Sequence, residues 1–249
     1  PNIMIINCDQ MQAFGLGCYG HPLVRTPNID RLAESGVRFV NGISNAPVCM
    51  PARSVLMSGQ YERTCTSGAG NLGAPATIGK SYTFPEYPKP GRLHLQDETL
   101  PEVLKKNGYH TCALGKWHIY SRPHDVGFDD YVIPRAHHIH SHQSYTDNGG
   151  PEFCPDQKWS VEFEADEAEK RFQAWGKSDQ PFFLYYNFSP PHMPLCDAPE
   201  KYLNMYKPED MTIPKGPLAA PIYSIGGIKS EELQRRRAIY AAMVTCMDD

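Results

Sequence analysis

Asn2-Ile3-Met4-Ile5-Ile6-Asn7-Cys8-Asp9 opens the chain as an apolar run that ends on a carboxylate. It predicts a parallel strand over 3–7 buried on both faces, because such strands lose the polar alternation of a half-exposed sheet. Outward from it, strand and helix signals alternate. Thr26 and Pro27 predict a helix with the threonine as cap, the proline in first place and Gly36 as stop. Residues 38–40 read as a second strand, leading to a turn at Cys49 and a helix that ends near Gly59. Thr99 and Glu102 form a capping box for a helix stopping at Gly108, before a strand over 110–114. Residues 120–158 read as a loop-rich insertion and 160–175 as a charged amphipathic helix. An aromatic strand over 181–188 and a helix from Ser230 onward complete the pattern. The Gly- and Pro-rich stretches 60–97 and 190–228 read as loop.

This alternation implies an α/β fold with a mostly parallel central sheet and helices on both faces. Ligands of such folds gather at the carboxyl ends of the strands. Asp9, Lys116, His118 and His192 fall at that edge, and Cys49 lies in the turn entering its helix. Lys116 and His118 alternate along an extended segment and so share one face, with Trp117 turned to the core.

Cys49-Met50-Pro51-Ala52-Arg53 places a thiol at or beside a helix start, with proline tolerated because its missing N–H has no intrahelical role there. Free backbone N–H groups and the positive end of the helix dipole make such a start an anion site. Arg53, one turn on, adds a positive fork above it. A buried thiol at a helix start satisfies the same pentapeptide, and Asp9 alone is equally a turn-capping carboxylate. Lys116-Trp117-His118 alone reads as a solvent-facing strand end, and His192 alone as a surface residue of a proline-rich turn.

The wider pattern decides between these readings. Residues 49–59 follow C-x-P-x-R-x-x-x-[LM]-[ST]-G; Gly108-Tyr109-His110-Thr111 and Gly115-Lys116-Trp117-His118 follow. With the opening strand, Thr26–Leu32 and Pro191-His192-Met193-Pro194, the chain resembles the type I, formylglycine-dependent sulfatases of the alkaline phosphatase-like superfamily. The resemblance implies that a maturation enzyme oxidises Cys49 to formylglycine, whose hydrate attacks sulfur and then collapses to release sulfate. It implies one divalent metal ion held by Asp9, Gln10 and residue 49, calcium first, with magnesium or manganese compatible. Gln10 departs from the commoner Asp-Asp pair and removes one negative charge. Lys116 would bind the sulfate, and His118 would hold or deprotonate the diol. His192 would contact the sulfate or protonate the leaving alcohol, and Arg53 would orient the nucleophile.

The implied activity is hydrolysis of a sulfate monoester, on a carbohydrate. A phosphonate monoester or phosphodiester hydrolase, compatible with Gln10, is the enzymatic alternative; a binding protein that keeps the fold is the non-catalytic one. The family's metal cage also needs an Asp followed by Asn or His, and a distal Lys. Residues 1–249 therefore read as the N-terminal portion of a large catalytic α/β domain, with the rest of the sheet and a smaller domain expected beyond.

Bulk properties set limits. A net charge of −4 without a basic stripe argues against nucleic acid as a partner. No apolar run is long enough to span a membrane. The resemblance favours a periplasmic or secreted protein and leaves the cytoplasm open. Eight cysteines lack metal-ligand spacing, and Cys8 and Cys112 read as small core residues. His137, His138, His140 and His142 read as a solvated or substrate-lining loop, since their spacing fits no closed zinc site. Tyr120, Trp159 and the aromatics near Tyr145 are candidates for a sugar pocket, and Asp248 and Asp249 read as structural.

Overall fold

The computed structural model describes residues 1–66, 92, 95–135, 138–155, 158–196, 198–212 and 229–249. Parts of the two loop readings, and His137, lie outside these residues. The strands β1 (Ile3–Cys8), β2 (His110–Gly115), β3 (Asp130–Pro134), β4 (Tyr145–Asp147) and β5 (Phe182–Phe188) form a five-stranded sheet of order β1-β5-β2-β3-β4. The pairs β1·β5, β5·β2 and β2·β3 are parallel, and β4 runs antiparallel to β3. The helices are α1 (Pro27–Ser35), α2 (Cys49–Ser58), α3 (Glu62–Cys65), α4 (Leu100–Lys106), α5 (Ser160–Trp175), α6 (Glu200–Leu203) and α7 (Ser230–Asp248).

The interior strand β5 explains the two cores. Its side chains alternate across the sheet. Phe183 and Tyr185 join Ala113, Met57 and Leu104 on the face of α2 and α4. Leu184, Tyr186 and Phe188 join Cys112, Leu114 and α7 residues such as Ala242 and Met243 on the other. A strand covered on both faces cannot carry polar alternation, which is why 182–188 is so apolar.

Several expectations need correction. β1 is an edge strand whose Met4 and Ile6 are 49% and 50% exposed, so among the described residues it is covered on one face only. Residues 38–40 form no strand: they pair with none of the described strands, and Phe39 and Val40 are 73% and 72% exposed. The insertion at 120–158 contains β3 and β4, too short to show a period, and the first loop stretch contains α3. Tyr145 and Trp159 belong to the core instead of a pocket, while Tyr120 packs beside Met50.

Local signals set the helix ends. The Thr99–Glu102 capping box is present. Thr26 precedes Pro27, but its hydroxyl accepts from the Gly17 N–H (2.9 Å) and donates to Asp30 Oδ1 (2.9 Å) instead of capping α1. The cap comes from the far end of the chain. Asp248 accepts the N–H groups of Asn28 (3.0 Å) and Ile29 (2.7 Å), a structural role as read. Asp249 pairs with Lys201 at 2.6 Å.

Candidate active site

Two parallel strands deliver the first charges. Asp9 follows the last residue of β1, and its N–H donates to the Phe188 carbonyl at 3.2 Å. Lys116 follows the last residue of β2, and its N–H donates to the Asn187 carbonyl at 2.9 Å. Both therefore sit at the carboxyl end of β5. Between them Gly115 turns the chain at φ +78°, and a Cβ there would lie 2.2 Å from the Asn187 oxygen, so only glycine fits.

Helix α2 supplies the rest. It begins at Cys49 with Val48 as cap, so Pro51 is third in the helix and not first. Its missing N–H still costs nothing, because the first intrahelical bond there is from Ala52 to Val48. Arg53 is no surface side chain. Only 2% exposed, it donates from Nη2 to Asp9 Oδ2 at 3.2 Å and from Nη1 to the Lys116 carbonyl at 2.7 Å. Lys116 Nζ lies 2.5 Å from the same Asp9 oxygen, and the Cys49 thiol reaches Asp9 Oδ1 at 3.5 Å. The Lys116 contact is an ion pair without the angle of an aligned hydrogen bond, so a fully buried ammonium still has donors to offer.

One carboxylate between two buried cations leaves the cluster net positive, which suits an anion. Burial pushes the Asp9 carboxyl up, but Lys116 and then Arg53 outweigh it and hold it below its ordinary value. Burial lowers Lys116 in spite of Asp9. Burial, followed by Asp9, pushes the Cys49 thiol up, so the unmodified cysteine is a protonated and weak nucleophile.

A cleft of about 500 Å³ opens over this cluster, lined by Asp9, Gln10, Cys49, Arg53, Tyr185 and His192 among others. Lys116 stands outside that lining, fully buried and paired with Asp9. His192 reaches the cleft from the turn after β5; its Nδ1–H donates to the Met193 carbonyl at 2.6 Å, so Nε2 is the nitrogen left for the cleft, an acceptor in the neutral ring and a donor in the protonated one. One ligating atom each from Asp9, Cys49 and His192 lie within 4.8 Å of one another. Gln10, held at φ +58°, accepts the Met193 N–H at 3.3 Å and ties that turn to the end of β1.

His118 departs from expectation. Its φ of +49° breaks the extended alternation, and its ring stands edge-on to His138 at 6.2 Å. Trp117 is core, as read, 4% exposed. Tyr185 was not singled out from the sequence as a site residue, although strand alternation puts it on the α2 face. His138 stacks on His192 at 4.1 Å, a partner that its loop spacing alone did not name.

The Sulfatase family model matches residues 1–249. The chain belongs to the Sulfatase family. It is 30% identical over 257 residues to an ulvan-active sulfatase of Formosa agariphila, covering 100% of this chain and 45% of that protein. Among solved structures, the yidJ protein of Bacteroides fragilis aligns at 25% identity and a TM-score of 0.76, over 100% of this chain and 56% of that one. BT4656, solved with its substrate D-glucosamine-2-N,6-O-disulfate, shares the fold at 24% identity and a TM-score of 0.66, over 87% of this chain and 39% of its own. This sulfatase chain thus spans about half the length of the relatives it matches.

Asp9 offers a carboxylate and Gln10 an amide oxygen, the hard donors a divalent cation takes. Calcium takes roughly 6–8 oxygens, so these residues fit as one part of a cage. Among the described residues no helix is long and apolar enough to cross a membrane.

Proposed function

We propose that the full-length protein is a sulfuric ester hydrolase that cleaves a sulfate monoester on a carbohydrate, with residue 49 as the nucleophile after oxidation to formylglycine by a maturation enzyme. The observation that carries this reading is the buried Asp9–Arg53–Lys116 cluster under Cys49, a net positive seat for an ester anion at the mouth of an anion-binding helix. The raised thiol of Cys49 supports the need for modification, since the bare side chain is not activated. The carbohydrate part rests on the names of the ulvan-active relative and of the disulfated glucosamine complex. A periplasmic or secreted site of action accords with glycan substrates.

In this reading Arg53 orients residue 49 and balances charge, and Lys116 takes a sulfate oxygen once it shares Asp9 with other positive charge. His118 holds or deprotonates the diol, and His192, with its ring protonated, donates from Nε2–H to the ester oxygen on the alcohol side. Asp9, Gln10 and residue 49 would hold a divalent cation, calcium first, which when bound acidifies the nucleophilic hydroxyl and neutralises charge on the sulfate oxygens.

Two measurements test the proposal on full-length protein from its native host. Peptide mass spectrometry across residue 49 should show a loss of about 18 Da, the conversion of CH₂SH to CHO. Sulfated oligosaccharides and an aryl phosphodiester should be compared as substrates. An unmodified thiol with no sulfate release sinks the reading, and a large preference for the diester moves it to a phosphonate or phosphodiester hydrolase.

A further inference from the structure

We infer that residues 138–143 are a clamp for His192, with His138 and His140 as positioning residues of the active site; this rests on the sulfatase reading for its kinetic consequence. The His138 ring lies over the His192 ring with centroids 4.1 Å apart and planes 21° off parallel. The His138 ring also meets the His118 ring at 6.2 Å, the two planes near perpendicular. His140 Nε2–H donates to the His192 carbonyl at 2.8 Å. One histidine therefore fixes the ring and the other fixes the backbone beneath it.

The clamp is anchored, not floating. His140 is 2% exposed, and its ring leans on Trp159 at 5.7 Å. Its carbonyl accepts the Ser160 N–H at 2.8 Å, at the start of α5. Ser141 bridges Trp159, and Gln143 Nε2 donates back to the Ile139 carbonyl at 2.9 Å. The position of His192 is thus referred to a buried helix start on one side. On the other, Gln10 holds the Met193 N–H at the end of β1. The His192 Nδ1–H is spent on Met193, so Nε2 is the nitrogen whose aim the clamp sets. Small errors in such an aim are costly, because proton transfer and oxyanion contact need reacting atoms held to a fraction of an ångström.

The test separates positioning from general stability by paired substitutions in the full-length protein. His140→Leu keeps packing against Trp159 and removes the donor; His140→Gln restores an N–H at similar reach. His138→Ala removes the stack, and His138→Phe restores it without ring nitrogens. Aryl sulfates with low- and high-pKa phenols are compared. His140→Leu and His138→Ala should lower kcat for the poor leaving group by about tenfold or more, with little change in KM and a smaller loss for the good one. The Gln and Phe variants should return within about threefold of wild type. Equal loss on both esters without rescue, or unchanged kcat throughout, overturns the clamp.

The second readout needs no turnover. In ¹³C-histidine-labelled protein, the His192 Cε1–H resonance should move in His138→Ala and return towards its wild-type position in His138→Phe. If wild type releases sulfate from neither aryl ester nor from sulfated oligosaccharides, the sulfatase reading fails while this resonance still decides the clamp; a resonance unmoved by His138→Ala overturns it.

Discussion

Replacing Asp9 by Asn keeps the shape of the side chain and removes the carboxylate that pairs with both Arg53 and Lys116. At an effective dielectric of about 20, the pairs at 2.5 Å and 3.2 Å attract by roughly 7 and 5 kcal/mol. Much of that offsets the desolvation of three buried groups. Taking away one partner of a buried network costs about 3–5 kcal/mol, because the remaining charges stay uncompensated. The cost should fall when one of the stranded cations goes too. Lys116→Met in the Asp9→Asn background should therefore recover about 2 kcal/mol, although a lysine-to-methionine change in the wild type destabilises. The assay is urea titration of full-length protein at pH 7 in EDTA, so that no bound cation masks the effect. An Asp9→Asn cost within about 1 kcal/mol of zero, or single-variant costs that add within about 0.5 kcal/mol, would refute the charge argument.

Three further outcomes follow from particular contacts. Glu164 is fully buried, accepts the Tyr145 hydroxyl at 3.0 Å, and burial pushes its carboxyl from 4.5 up to about 8. The folded state therefore keeps a proton that the unfolded state has lost, so this group's contribution falls as pH rises between 4.5 and 8 and is flat above. Glu164→Gln should gain on wild type across that window by at most about 1.4 kcal/mol per pH unit, and parallel stability curves would contradict it. Gly115→Ala should cost more than about 2 kcal/mol, from left-handed strain and a Cβ driven against a backbone oxygen that cannot swing aside; calorimetry showing less than half of that would count against the turn as described. Asp248→Ala should cost about 1–2 kcal/mol through loss of the α1 cap, with Asp248→Asn recovering part through its remaining oxygen, and two equal denaturation midpoints would deny the cap.

Much of the frame was legible because it is written in local patterns. The apolar runs of β1 and β5, the Thr99–Glu102 box and the glycine stops each state their structure within a few residues. Asp9, Cys49, Arg53, Lys116 and His192 could be grouped in advance for the same reason, since ends of parallel strands and starts of their helices share one edge. Strands β3 and β4 escaped because five and three residues are too few to display a period. Residues 38–40 misled because apolar side chains alone do not make a strand: pairing with a neighbour does, and these residues pair with none of the described strands.

By itself, then, the sequence determined which residues carry charge, thiol and imidazole, and which segments place them at the carboxyl edge of a mostly parallel sheet. Tertiary structure decided that β1 is an edge, that Lys116 is buried against Asp9, and that His118 faces His138. It also brought His140 to the His192 carbonyl across 52 residues of chain. Periodicity and capping act over one or two turns of chain and can be read in order. Contacts between distant segments depend on strand order, register and burial, which exist only once the sheet has closed.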